Sequence, residues 1–152
     1  MYELQSQAAD LALALNHDFV TRDAVKSWAD TWLAQPDLAP NEISALVDIS
    51  VPESNRAEAV IRPLNDIARE RDGDPEVLLA LARRQLRIDG RPGERIARDL
   101  YYLYGVVEGL PEELETLWDD FGLFGYLPSV TDPNLTLERI LSAEDGKFDW
   151  LP

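Results

Sequence analysis

Residues 72–90 read DGDPEVLLALARRQLRIDG, and they show in one place a pattern that recurs along the chain. Asp74 offers a side-chain oxygen that can cap a helix, Pro75 suits the first helical position, and Glu76 places negative charge in the first turn. Apolar residues then recur at spacings of three and four, which is the period of an amphipathic helix. Gly90 follows the last turn, where glycine is common. This stretch therefore predicts a helix with a turn on either side.

Start and stop signals of the same kind predict about seven helices joined by short connections. The sequence has no Asn-Gly or Asp-Gly pair between alternating apolar runs, so it gives no hairpin signal. No motif recurs at a fixed interval, which argues against a helical repeat array. The predicted fold class is all-α, an irregular single-domain bundle of about seven helices over residues 1–152.

The helical period also predicts which side chains face the core. In the first helix the apolar stripe consists of Leu4, Ala8, Leu11 and Leu15, whereas Glu3, Gln7 and Asp10 lie elsewhere. Inward positions in two other helices are Ile43, Leu46, Val47, Leu135, Leu137, Ile140 and Leu141. Trp28 and Trp32 are most simply core residues, and at least one of Tyr101 and Tyr102 is expected at the surface. Pro63 removes a backbone donor inside a helical pattern, so a kink or short break is expected there.

The composition restricts the kind of partner. Of 152 residues, 14 are basic and 29 are acidic, which gives a formal net charge of −15, and none is cysteine. Without cysteine there is no disulfide, thiolate metal site or cysteine nucleophile. Phosphate backbones and anionic membrane surfaces repel such a chain, so we expect no nucleic acid and no membrane partner but a cationic protein. The first residues have no signal-peptide pattern, and no apolar run reaches about eighteen residues, so we expect a cytoplasmic protein.

The excess acid is concentrated at the two ends of the chain. Residues 1–55 carry a net charge of −7, residues 56–107 carry +1, and residues 108–152 carry −9. The central part includes a run of arginines at positions 83, 84, 87, 91, 95 and 98. Arginine pairs well with carboxylates, so the run indicates ion pairs inside the molecule or a ligand site, and both alternatives stay open.

A second dense group of charges follows the arginine run. The candidate partner-binding residues are Glu108, Glu112, Glu113, Glu115, Asp119, Asp120, Phe121, Phe124 and Tyr126. Glu112, Glu115 and Asp119 would share a helical face, where like charges repel unless a cation covers them. The face is either solvated or a patch for a basic partner. The apolar residues that follow either fill the helical bundle or form an exposed anchor with a charged rim.

Residues suited to catalysis are few in this sequence. His17 is the single histidine and is expected at a helix end or the surface. The sequence lacks nucleotide-binding glycine loops and the EF-hand pattern, and one histidine cannot supply a di-iron Glu-x-x-His pair. We therefore predict a non-enzymatic protein with no catalytic residue, metal or cofactor.

Two segments carry a resemblance to a known family. Residues 79–98, LALARRQLRIDGRPGERIAR, and 108–118, EGLPEELETLW, resemble small acidic all-helical immunity proteins of bacterial toxin systems, both contact-dependent and type VI-delivered. The resemblance covers about a third of the chain and consists of a helix, a turn, a helix and a Leu-Pro-acid start. It implies a cytoplasmic inhibitor that binds a cognate toxin domain and blocks its active site. The alternatives are an acidic adaptor or secretion chaperone that holds an effector protein, and an enzyme of another type.

Overall fold

The computed structural model describes residues 2–123, 133–141 and 148–152. Within these ranges the chain forms eight α-helices and no strand, which confirms the all-α prediction. The helices are α1 (Tyr2–Asn16), α2 (Arg22–Leu33), α3 (Pro40–Ser50), α4 (Glu58–Ala68), α5 (Glu76–Arg87), α6 (Gly93–Tyr104), α7 (Glu113–Leu123) and α8 (Pro133–Leu141).

The chain divides into two compact units. Unit 1 comprises Met1–Val77 together with Trp150–Pro152, and unit 2 comprises Leu78–Asp149. The division falls inside α5, which begins in unit 1 and continues in unit 2. The single domain expected from chain length stays a prediction.

Three helices are capped at their starts by side-chain oxygens that accept backbone N–H groups, and the start of α5 confirms the prediction made from Asp74. The Thr21 hydroxyl accepts the N–H of Ala24 at 3.1 Å ahead of α2. The Glu42 carboxylate accepts the N–H of Ala39 at 2.9 Å ahead of α3. Asp74 caps α5 in the predicted manner, accepting the N–H of Glu76 at 3.0 Å. Each bond satisfies a backbone donor that the helix itself leaves unpaired, and such a cap is worth about 1 kcal/mol.

In unit 1, α1 packs against α4, and α3 packs against both α2 and α4. The core includes Leu4, Leu11, Leu15, Val25, Trp28, Leu46, Ile49, Val60, Leu64 and Ile67. Gln7 and Asp10, which lie off the predicted stripe of α1, are also buried, with 6% and 5% of their surface exposed. Their polar atoms have partners from distant parts of the chain, and a buried polar group needs such partners to be tolerated.

Asp10 connects α1 to the turn before α5. Its Oδ1 accepts the backbone N–H of Asp74 at 2.7 Å. Next to this bond, Gly73 lies against α1 so closely that a Cβ at this position would be 2.6 Å from the Ala9 carbonyl oxygen. The turn that the sequence predicts at residues 72–74 is therefore also a packing contact.

Some predicted burial positions are wrong. Ile43 and Val47 are 42% and 44% exposed on α3, where Ala45, Leu46 and Ile49 are buried instead. On α8, Leu135 is 63% exposed. On these two helices, fewer apolar residues face the core than the helical period predicts, because only one side of each helix meets a neighbour.

Pro63 does not break its helix. α4 runs from Glu58 to Ala68 with Pro63 inside it and buried. The missing N–H deprives only the Ala59 carbonyl of its usual partner, and the proline ring adds buried apolar surface to unit 1.

In unit 2, α6 packs against α7 and α8, and α7 also packs against α8. The core of unit 2 includes Ile96, Ala97, Leu100, Leu103, Leu114, Leu117, Leu137, Ile140 and Leu141. Tyr102 is 65% exposed, as expected, and its ring meets that of Tyr101 edge to face with the centroids 5.7 Å apart.

The pairing of Asp30 predicts a shifted titration. Lys26 donates to Asp30 at 2.8 Å and Ser50 also donates to it, and these bonds hold the pKa of Asp30 below its ordinary value of 3.8. Because the folded pKa is the lower one, the stabilisation is present above the unfolded value and is lost as the pH falls through the folded pKa. An NMR titration of the carboxyl carbons should give a midpoint below 3.8 for Asp30.

Variants test which bonds cause this shift. Lys26→Met should raise the midpoint of Asp30 the most, and Ser50→Ala should raise it less, following the order of their contributions. Ser44→Ala is the matched control, because Ser44 is an exposed serine of the same helix as Ser50. An unchanged midpoint in Lys26→Met would contradict the assignment.

Candidate functional site

The candidate acidic residues lie around the start of α7. Glu108 and Glu112 are exposed and precede the helix, and Glu113 and Glu115 are exposed in its first turn. The Glu112 carbonyl accepts the N–H of Glu115 at 3.1 Å. Negative charge next to the first turn of a helix is favourable, because the unpaired N–H groups give that end a partial positive charge.

One of these carboxylates has a structural partner. Arg139 of α8 donates to Glu113, and the pair joins α7 to α8. Both side chains are more than half exposed, so the pair adds little to stability. In the part of the chain that the structure describes, Glu108, Glu112 and Glu115 form no ion pair.

The other five candidate residues fall wholly or partly outside the described set. Asp119, Asp120 and Phe121 belong to the backbone of α7, and their side chains lie outside the described residues. Phe124 and Tyr126 lie outside them altogether. The structure therefore describes the side chains of four of the nine candidate residues, which are the four glutamates.

The arginine run is partly engaged within unit 2. Arg91 donates to Asp99 at 2.6 Å and to Gln85 at 2.7 Å, and Arg98 lies 3.8 Å from Asp99. Arg87 and Arg95 are exposed. Arg91 and Arg98 thus form ion pairs inside the molecule. For Arg87 and Arg95, the two predicted alternatives of an internal ion pair and a ligand site both stay open.

Unit 1 contains a feature that the sequence analysis does not single out, an open cavity of about 690 Å³. Such a volume falls within the range of about 300–1,000 Å³ that is common for ligand sites. Residues from α1, from α2 and the turn after it, and from 150–152 line it: Glu3, Gln7, Ser27, Trp28, Thr31, Trp32, Gln35, Pro36, Asp37, Trp150 and Pro152. We call this the tryptophan cavity.

A buried glutamine organises the wall of the tryptophan cavity. The Gln7 Oε1 accepts the indole N–H of Trp28 at 2.8 Å and that of Trp32 at 3.1 Å. The Gln7 amide nitrogen donates to Glu3 at 3.3 Å. One side chain of α1 therefore orients two indole rings of α2 and a carboxylate at the edge of the cavity.

The prediction that both tryptophans are core residues is correct for Trp28, which is 4% exposed, whereas Trp32 is half-buried.

The tryptophan cavity could not be predicted from the apolar periodicity, because that pattern carries no information about hydrogen-bond partners. A usable signal is that two indole N–H groups one helical turn apart need acceptors when they are buried. Gln7 then becomes a candidate because it lies on the neighbouring helical segment.

In residues 2–123, 133–141 and 148–152, no three His, Asp or Glu side chains lie together in a way that could hold a metal ion. None of the helices described is long and apolar enough to cross a membrane. His17 directly follows α1 and is half-buried, which confirms its expected place at a helix end.

Comparisons with protein-family models, with curated proteins and with solved structures give no match for this chain.

Proposed function

We propose that the chain is a non-enzymatic immunity protein that binds and neutralises a cognate bacterial toxin domain in the cytoplasm. The observation that carries the proposal is the exposed set of carboxylates at Glu108, Glu112 and Glu115, which form no ion pair with another described residue. Charge that has no partner among the described residues is available to a partner protein. The resemblance of residues 79–98 and 108–118 to immunity proteins supports the same function.

The charge distribution supports a basic partner. Residues 108–152 carry a net charge of −9 within a chain of −15. A surface dense in acid accelerates the encounter with a basic surface, and carboxylates at the centre of an interface can occupy the places where a nuclease binds phosphates. The proposed target is therefore a toxin domain that acts on nucleic acid or nucleotides.

The proposal is tested by co-expression with the toxin domain encoded next to this chain's gene. We expect this chain to restore growth and to be retained with the toxin in a pull-down at moderate salt. Absence of both results would refute the immunity function. Retention of a flexible effector segment without rescue of growth would instead support the adaptor or secretion chaperone.

A charge variant tests where the toxin binds. The triple substitution Glu108→Gln, Glu112→Gln and Glu115→Gln should lower the association rate constant by about tenfold or more at low ionic strength, since steering depends on opposite charge. The effect should shrink as salt is raised, because ions screen the charges. Stopped-flow or surface-based kinetics measure both.

The matched control removes the same charge elsewhere. Glu53→Gln, Glu70→Gln and Asp72→Asn together neutralise three exposed acids of unit 1 and should change the rate much less. If the two triple variants slow association equally, net charge alone matters and the residues around the start of α7 are not the interface.

A further inference from the structure

We propose that the tryptophan cavity of unit 1 binds the side chain of an arginine carried by a peptide segment of a partner protein. Its residues are distinct from the acidic residues around α7. The assignment therefore stands whether or not the chain is an immunity protein.

The residues that line the cavity favour a cation. Trp28, Trp32 and Trp150 contribute indole surface, Glu3 and Asp37 contribute carboxylates, and none of the lining residues is basic. An aromatic face attracts a cation through its quadrupole, and the attraction is strongest for tryptophan. A carboxylate nearby adds a charge-assisted hydrogen bond. A neutral ligand would lack the attraction to the aromatic faces, and an anionic ligand would in addition be repelled by the carboxylates.

Guanidinium fits this combination better than ammonium. It is planar, so it can lie on an indole ring while its edge donates two parallel hydrogen bonds to a carboxylate, and it is more weakly hydrated than ammonium. Glu3 and Asp37 are both exposed at the cavity, so their oxygens can be reached by a ligand. Arginine is therefore the expected side chain.

The site is organised before any ligand arrives. Gln7 is only 6% exposed and its oxygen holds the indole N–H groups of Trp28 and Trp32, so these rings have a set orientation. A binding wall that is already ordered loses little conformational entropy when a ligand binds.

A second cavity, of about 420 Å³, lacks the features that favour a cation in the tryptophan cavity. It is lined by Asp48, Arg56 and Arg62 among others, so it has both signs of charge, and none of its lining residues is aromatic.

The size of the cavity indicates a peptide rather than a single small cation. At about 690 Å³ it has room for the arginine side chain together with the backbone of its neighbours. The two prolines at its edge, Pro36 and Pro152, are exposed and offer apolar surface to such a backbone.

The experiment follows the four indole N–H resonances of the ¹⁵N-labelled full chain by NMR. The probe is the tripeptide acetyl-Gly-Arg-Gly-amide, and its matched control replaces arginine with citrulline, which has nearly the same shape without the charge. We expect the arginine peptide to shift the Trp32 and Trp150 resonances and leave Trp118 of unit 2 unchanged. The citrulline peptide should cause no shift, and a lysine peptide should bind at least about threefold more weakly.

Variants locate the binding. Trp32→Ala should weaken the affinity for the arginine peptide by about three- to thirtyfold, which is the range expected for the loss of a cation–π contact. Asp37→Asn changes an exposed side chain, so the fold is retained, and it should weaken binding by about two- to fivefold. Asp72→Asn, an exposed acid of unit 1 outside the cavity, should leave the affinity unchanged.

Three results would overturn the proposal. These are equal binding of the arginine and citrulline peptides, affinity that is unchanged in both Trp32→Ala and Asp37→Asn, and shifts confined to Trp118. A separate arm uses acetyl-arginine-amide, which should bind more weakly than the tripeptide. Equal or tighter binding of this small molecule would overturn the assignment to a peptide.

Discussion

Replacing Gln7 with methionine is expected to lower the free energy of unfolding by about 1–3 kcal/mol. Gln7 accepts two indole N–H groups, and methionine has nearly the same length but cannot accept them. Trp28 is buried, so its N–H would be left without a partner, which costs about 1–3 kcal/mol, whereas Trp32 is half-buried and can turn to water. Urea unfolding followed by circular dichroism measures the change.

Gln5→Met is the matched control for this variant. Gln5 lies on the same helix, is half-buried, and accepts a hydrogen bond from the exposed Arg71 at 3.2 Å. Because both Gln5 and Arg71 can reach solvent, the change in the free energy of unfolding should stay within about 0.5 kcal/mol. If the two methionine variants are equally stable, Gln7 does not hold the indole groups in the way described.

Replacing Gly73 with alanine is expected to destabilise the protein by about 2–3 kcal/mol, the upper part of the range for overpacking. The added Cβ would be 2.6 Å from the Ala9 carbonyl oxygen and 2.8 Å from the Leu13 Cβ. The backbone oxygen cannot rotate away, so α1 and the turn must separate. That separation would also lengthen the 2.7 Å bond from the Asp74 N–H to Asp10.

The control for this variant is Gly105→Ala at the end of α6. There a Cβ would be 3.7 Å from the Tyr102 carbonyl oxygen, an ordinary contact, and the φ of −76° suits alanine. The substitution should be neutral or stabilise by up to about 1 kcal/mol, since alanine restricts the unfolded chain. Gly73→Ala with the stability of Gly105→Ala would contradict the predicted clash.

Much of the helical architecture could be predicted from local signals. The starts of α2, α3 and α5 follow from Thr21, Glu42 and Asp74, whose side chains bond to backbone groups two or three residues away. Such bonds lie within one turn of chain, so the sequence order already brings the partners together. The helical period likewise placed the predicted apolar stripe of α1 correctly, since all four of its residues are buried.

The tryptophan cavity could not be predicted in the same way. Its central bonds join Gln7 to residues 21 and 25 positions further along the chain. A glutamine off an apolar stripe is normally exposed, and only the approach of α2 converts it into a buried acceptor. The candidate glutamates around the start of α7 could be predicted to be exposed, because a charged side chain is normally found at the surface.

The sequence by itself determined that the described residues form helices and no strand, where α2, α3 and α5 begin, and that the excess charge of the chain is acidic and concentrated at its ends. These properties depend on neighbours in the sequence and on composition. Only the tertiary structure decided which polar groups are buried, that Ile43 and Val47 remain exposed, and that Gly73 of the opening 72–90 stretch is a contact with α1. The physical reason is that burial and hydrogen bonding between distant residues depend on which helices meet, and for Asp10 and Asp74 that meeting joins positions 64 residues apart.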